Sequence, residues 1–241
     1  MNQNKLKRSF ELLWMAALGL FIAILLYPVS SGLTRKCGLV FFFVAWFGFI
    51  FLFWRCRVLR LSLLGISLLS TVFLCWPSNK QPNIDALRSD YVIGLQRYDG
   101  VKYIWGGESP RGVDCSGLVR RGLIDSSFLR GLRTIDPGRV RSAFSIWWND
   151  TTASELGEAH DGLTTHVLDT PSLNRLDHSQ ILPGDLAVTK SGCHVMAYLG
   201  ENRWIEADPQ ARRVITVVVP TTGNVWFDMP MKIVRWSVWS K

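Results

Sequence analysis

Apolar residues crowd the first third of the chain and become periodic only after it. Three blocks, at residues 12–29, 38–54 and 61–76, are apolar with almost no charge inside them, and each is close to the length that crosses ~30 Å of hydrocarbon at ~1.5 Å per residue. The second and third are short for that task, so local thinning or long flanking side chains are expected to make up the difference. Trp14, Trp54 and Trp76 stand at or near block ends, where an indole with one wet edge belongs. The pattern predicts three membrane helices within residues 1–76, a polar linker at 77–83 and a domain over 84–241.

Within that domain, Asn83 or Asp85 is placed to cap a helix with Ile84, Leu87, Tyr91, Ile93 and Leu95 on one broad face, running to about Tyr98. Residues 103–105 read as a short strand or extended piece and 106–112 as turn throughout. A helix starts at Cys115 and runs through Leu118, Val119, Leu123 and Ile124. Residues 126–180 show no clean period of either kind and are expected to cover one edge of the site as a helical insertion. Strand-like runs follow at 186–189, 193–199, 203–207, 214–219 and 233–239. Helices first and a run of strands after them predict an α+β fold, a helix packed on an antiparallel sheet.

Charge changes the picture in one respect. A net charge of +8 on 241 residues invites a nucleic-acid partner, but its distribution removes that reading. Residues 1–76 hold eight Lys/Arg and one acid, or +7; the remainder holds 19 basic and 18 acidic residues, or +1. The excess therefore reports membrane topology, and no basic stripe is left for a phosphate backbone. Lys5, Lys7 and Arg8 precede the first block and Arg55, Arg57 and Arg60 lie between the second and third, against Arg35 and Lys36 in the first connection. The Lys/Arg excess belongs on the cytoplasmic side. That places the N-terminus inside and everything after Trp76 outside, in a multi-pass membrane protein with its domain on the outer face. A cleaved signal peptide is the rival reading of the first block, with a small-residue region after Tyr27; two further apolar blocks favour a retained anchor.

The five cysteines form neither a metal pattern nor a disulfide framework, and only Cys115 and Cys193 fall in the domain. Cys115 follows a Gly/Asp-rich turn and opens a helix, where unpaired N–H groups and the helix dipole favour the thiolate. His194 opens a strand. With Gly200 at the centre of the following turn, His194 faces Glu206 across the hairpin, and a carboxylate there fixes the imidazole tautomer; a turn longer by two residues substitutes Asp208. Strand alternation sends Cys193 to the opposite face, as a small core residue. His160, His166 and His178 lack the spacing for a shared metal and receive no role.

The runs Tyr-Ile-Trp-Gly-Gly at 103–107, Asp-Cys-Ser-Gly-Leu-Val at 114–119, Leu-Pro-Gly-Asp-Leu at 182–186 and His-Val-Met-Ala-Tyr-Leu-Gly at 194–200 resemble, in that order, the NlpC/P60 family of papain-like, cell-wall cysteine endopeptidases. The resemblance covers roughly 84–239. It implies Cys115 as nucleophile, His194 as base and Glu206 as the orienting third member, a position more often histidine in the family. It also implies Tyr103 as an oxyanion donor with the Cys115 backbone N–H, and Asp114 and Ser116 as contacts to the peptide substrate. The implied activity is hydrolysis of amide bonds in peptidoglycan stem peptides, commonly after D-glutamate, with no cofactor or metal, and the implied partners are peptidoglycan peptides; the lipid bilayer is a partner on the apolar blocks alone, and the two together predict a multi-pass protein of a bacterial cytoplasmic (inner) membrane with its domain on the periplasmic or extracellular side. An amidase or acyltransferase using the same thiol, and a silent wall-binding or scaffold module, are the competing readings.

Overall fold

The three apolar blocks fold as long helices, α1 (Gln3–Leu26), α2 (Gly32–Leu52) and α3 (Arg57–Cys75), in a computed structural model that describes residues 3–78, 80 and 83–239. Part of the linker read at 77–83, and the last two residues of the domain read at 84–241, lie outside the described residues. All three helices are long and apolar enough to cross a bilayer. The shortness expected of the second and third blocks is resolved by where the helices start. A capping box at Ser31 and Thr34 opens α2 ahead of its apolar run, and α3 takes in Arg57 and Arg60. Side chains such as Leu13, Phe47 and Leu69 point outward into open space. Trp14 departs from the interfacial role expected of it: its indole N–H donates to the Ala45 carbonyl of α2 at 2.9 Å, and its ring occupies the space where a Cβ on Gly48 would sit.

The domain begins with α4 (Ile84–Gln96), capped by the Asn83 side chain accepting from the Ala86 N–H. The stretch expected to be turn throughout contains a small hairpin, β1 (Glu108–Ser109) and β2 (Gly112–Val113), and residues 103–105 contribute only an isolated bridge from Tyr103 to Val113. Next come α5 (Cys115–Arg133), α6 (Pro137–Trp148) and α7 (Ala153–Gly157). The strands are β3 (Thr164–Thr170), β4 (Leu186–Thr189), β5 (Val195–Gly200), β6 (Arg203–Asp208), β7 (Arg213–Val218) and β8 (Met231–Trp236). Residues 126–180 are thus no single insertion: the segment holds the end of α5, two helices and a strand of the main sheet. β3 escapes a period-2 reading because it is a polar edge strand, its pairing with β8 broken by a bulge between His166 and Leu168.

The six strands run antiparallel in the order β3-β8-β4-β5-β6-β7. On one face Leu87 and Leu95 of α4 and Leu118 and Val119 of α5 pack against Val195, Ala197 and Ile205. On the other, Leu173, Ile181 and Phe227 cover Met196, Trp204 and Ile233. A sheet covered on both faces reads as continuous apolar runs, which is why β4 and β5 are buried at every position. Asp185, fully buried just before β4, is held by a bidentate Arg235 of β8 at 2.7 and 2.6 Å, so the Leu-Pro-Gly-Asp run is a structural corner. The domain also grips the ends of the long helices: Arg111 donates to the Leu25 carbonyl at the end of α1 (2.9 Å), and Arg141 to those of Leu74 and Trp76 at the end of α3 (2.7 and 2.9 Å). Those are carbonyls a helix terminus leaves without partners.

Candidate active site

Asp114 is the N-cap of α5, and its side chain is fully committed. Oδ1 accepts from the Gly117 N–H (2.6 Å) and the Ser116 hydroxyl (3.1 Å), and Oδ2 from the Gly106 N–H (2.8 Å). Its own N–H donates to the Gly107 carbonyl at 3.0 Å. A Cβ on Gly117 would strike that same carbonyl, so only glycine lets the first turn of α5 lie this close to the loop. Asp114 and Ser116 do line the cleft, but their polar atoms hold the loop and the helix start together. Cys115, the first residue of α5, is thereby fixed at the N-terminus expected for it, 8% exposed.

His194 lies one residue before β5, 2% exposed. Its Nε2–H donates to Glu206 Oε2 at 2.6 Å, which leaves Nδ1 uncommitted to that carboxylate, and Cys115 is close enough to act on the ring's pKa. The expected hairpin register does not form. Glu201 and Asn202, with φ of 53° and 57°, make a tight two-residue turn; Gly200 pairs with Arg203, and a bulge then sets Tyr198 opposite Trp204 and Ala197 opposite Ile205. Continued outward, this register brings Asp208 opposite His194 and makes Glu206 the diagonal neighbour. Glu206 reaches across that diagonal, as a long side chain can, while Asp208 accepts instead from the Gln210 N–H.

Two residues of the site carried no sequence signal. Asn224 donates to Glu206 Oε1 at 2.6 Å, and Trp226 stacks on the imidazole at 4.3 Å between ring centres, 20° from parallel. Both come from an irregular segment before β8. With Asn224 in place each oxygen of the fully buried Glu206 has a partner, the condition for a buried charge to be tolerated. Burial pulls the His194 pKa down, but hydrogen bonds to Cys115 and Glu206 and the charges on both outweigh it and lift it to about 9. At neutral pH the ring is therefore an imidazolium, the counter-ion a thiolate needs. Burial, with the nearby Cys115 and Asp114, pushes the Tyr103 hydroxyl up to about 12, so it stays protonated and able to donate.

Cys115 opens onto a cleft of about 340 Å³, lined also by Trp105, Gly106, Gly107, Asp150 and Cys193. Cys193 is exposed at this cleft and is no core residue, because it precedes β5 in a turn where strand alternation has not begun. A hydrogen bond from Ser191 leads the influences that lower its pKa. Among the described residues no group of His, Cys, Asp and Glu is arranged to hold a metal.

A family model described as the NlpC/P60 family matches residues 100–235, more than half of the chain, with Cys115, His194 and Glu206 all inside the match. The chain belongs to the NlpC/P60 family. No curated protein is significantly similar to it in sequence. Solved structures similar to this NlpC/P60 chain include NlpC1 from Trichomonas vaginalis (19% identity, covering 67% of this chain and 48% of that one, TM-score 0.40). Others are the peptidoglycan hydrolase RipB from Mycobacterium tuberculosis (21%, 68% and 70%, 0.40) and the NlpC/p60 domain of the peptidoglycan hydrolase SagA (24%, 61% and 97%, 0.37). The chain spans about half the length of the Trichomonas protein.

Proposed function

We propose that this protein is a membrane-anchored cysteine peptidase that hydrolyses amide bonds in peptidoglycan stem peptides, with Cys115 as nucleophile, His194 as general base and acid, and Glu206 as orienting carboxylate. One arrangement carries the reading: a cysteine at a helix N-terminus stands close enough to an imidazole to raise its pKa, the ring's Nε2 is bonded to a fully buried carboxylate, and the cysteine lines an open cleft. Attack by sulfur on the amide carbon gives a tetrahedral oxyanion, for which the Cys115 N–H and the Tyr103 hydroxyl are the proposed donors. His194 then protonates the leaving amine, and water activated by the neutral ring releases the acyl group. Three candidate spans support a membrane location for this chemistry, and the charge bias of their connections supports the outer face.

The test is digestion of purified sacculi by the full-length protein in mild detergent, with the fragments weighed by mass spectrometry. New amino ends on the stem peptides, absent with Cys115→Ala, are expected. Sacculi left unchanged, or the same fragments from Cys115→Ala, would overturn the proposal, and a product joined to an added amine without hydrolysis would assign acyl transfer to the thiol.

A further inference from the structure

The connection between α1 and α2 forms part of the cleft wall. Val29 makes an antiparallel bridge with Gly107; the Ser30 N–H donates to the Gly106 carbonyl at 2.8 Å, and the Glu108 N–H to the Pro28 carbonyl at 3.2 Å. Just beyond, in the first turn of α2, Arg35 is 3% exposed. Its Nε donates to Ser30 Oγ (2.8 Å), and its Nη2 to Glu108 Oε2 and Asp150 Oδ1, both at 3.1 Å. Arg120 of α5 reaches the same two carboxylates from the other side, at 3.1 and 2.9 Å. Two guanidiniums and two carboxylates from α2, the β1 hairpin, α5 and the segment after α6 thus meet at the cleft. A buried charge of this kind holds only while its partners are present, and Glu108, 4% exposed, has a carboxyl that burial pushes upward against the pull of Arg120 and Arg35.

The hydrogen bonds continue from this cluster to the start of α5. Gly106 and Gly107, pinned on one side by Ser30 and Val29, hold Asp114 on the other, and Asp114 caps the helix that Cys115 opens. We infer that the α1–α2 connection, with Arg35, is a positioning element of the catalytic cleft, so that the helical region completes the site it carries. The inference rests on Cys115 being the nucleophile. Arg35 acts on it through the loop at 106–108 and the Asp114 cap. A fork of donors is what the geometry uses, since one guanidinium serves Ser30, Glu108 and Asp150 at once; a lysine ammonium keeps the charge without the fork.

The test uses the full chain in detergent micelles or lipid nanodiscs, comparing Arg35→Lys, Arg35→Met and the double variant Arg35→Met/Glu108→Gln. Arg35→Met is expected to lose about 10- to 100-fold in kcat on a peptidoglycan fragment with KM within about 3-fold, the signature of a displaced reacting group. Arg35→Lys, which keeps the charge and the fold, is expected to lose several-fold. The double variant removes the uncompensated carboxylate, so its melting temperature recovers towards wild type while kcat stays low; that split separates positioning from stability. The second-order rate of Cys115 alkylation by iodoacetamide is read alongside, needs no substrate, and is expected to fall with kcat. Wild-type kcat and wild-type alkylation in the double variant or in Arg35→Lys would overturn the inference. Failure of the wild-type protein to cut any peptidoglycan fragment overturns the proposed function instead, and the alkylation rates still decide whether Arg35 positions the thiol.

Discussion

Replacing Glu206 by Gln keeps the shape of the side chain and removes its charge. Glu206 is fully buried with Oε2 2.6 Å from His194 Nε2. Against the pull of burial, the hydrogen bonds and charges of Cys115 and Glu206 raise His194 from 6.5 to about 9. At about 1.36 kcal/mol per pH unit, that interval is about 3 kcal/mol of preference for the imidazolium. A hydrogen bond to a charged group contributes about 1.5–3 kcal/mol, so Glu206→Gln is expected to bring His194 down by about 1–2 pH units. In the proposed mechanism His194 is protonated when it releases the leaving amine, so the alkaline limb of kcat/KM is expected near pH 9 in the native protein and about 1–2 pH units lower in the variant. Both limbs belong to the Cys115–His194 pair and not to either residue alone. Stability supplies a second reading. A histidine whose pKa rises on folding contributes its full stabilisation below the unfolded value and loses it as pH rises through the folded one. The native melting temperature is therefore expected to fall between pH 6.5 and about 9, and that of Glu206→Gln to fall less. An alkaline limb still near pH 9 in the variant, with the same decline in melting temperature, would refute the assignment of Glu206 as the partner that holds His194 charged.

The other predictions concern neighbouring groups. Asn224→Ala leaves a buried oxygen of Glu206 without its donor and is expected to cost about 1–3 kcal/mol of stability, read by denaturant unfolding, together with a measurable fall in kcat. Arg235→Ala strands the buried Asp185; a loss of about 3–5 kcal/mol is expected, and a loss below about 1 kcal/mol would show that water compensates the carboxylate. Brief iodoacetamide treatment followed by peptide mapping is expected to find Cys193 modified as well as Cys115, given its exposure and lowered pKa, with loss of turnover tracking Cys115 alone. A reporter fused after Lys241 is expected to be active only outside the cytoplasm; activity inside would reverse the proposed orientation and remove the wall as substrate.

What could be read from the sequence follows from how local each signal is. The long helices announce themselves through uninterrupted apolar windows, and β4 to β7 through short apolar runs between Gly, Pro and Asp. The start of α5 is local too, since the N-cap aspartate, the small residues and the apolar helix lie within a few positions. β3 was illegible because an edge strand can be polar on both faces. The register of the β5–β6 hairpin depends on a bulge at Gly200 that backbone geometry decides, so the contact between His194 and Glu206 is present although the register that suggested it is not. Asn224 and Trp226 join the site from an irregular segment whose path is set by the sheet beneath it. Arg35, read from sequence as a topological charge, meets Glu108 across a separation of 73 positions, beyond the reach of any periodic pattern.

That same arginine sharpens the argument for orientation. The ends of α1 and α3 and the start of α2 all touch the domain, through Arg111 on the Leu25 carbonyl, Arg141 on those of Leu74 and Trp76, and Arg35 on Glu108. A connection that pairs backbone to backbone with the cleft cannot lie across a bilayer from it, so the α1–α2 connection and the domain share one compartment whichever way the helices run. The choice of compartment then turns on the two opposite ends. Lys5, Lys7 and Arg8, with Arg55, Arg57 and Arg60, carry the charge at the far end of the bundle. Of the two basic residues in the first connection, Arg35 is neutralised inside the protein by Glu108 and Asp150, leaving Lys36 to set against six. The positive-inside rule therefore favours a domain on the outer face more strongly than the sequence count of six against two. The contact that ties the helices to the cleft and the charge that would have opposed its placement belong to one residue.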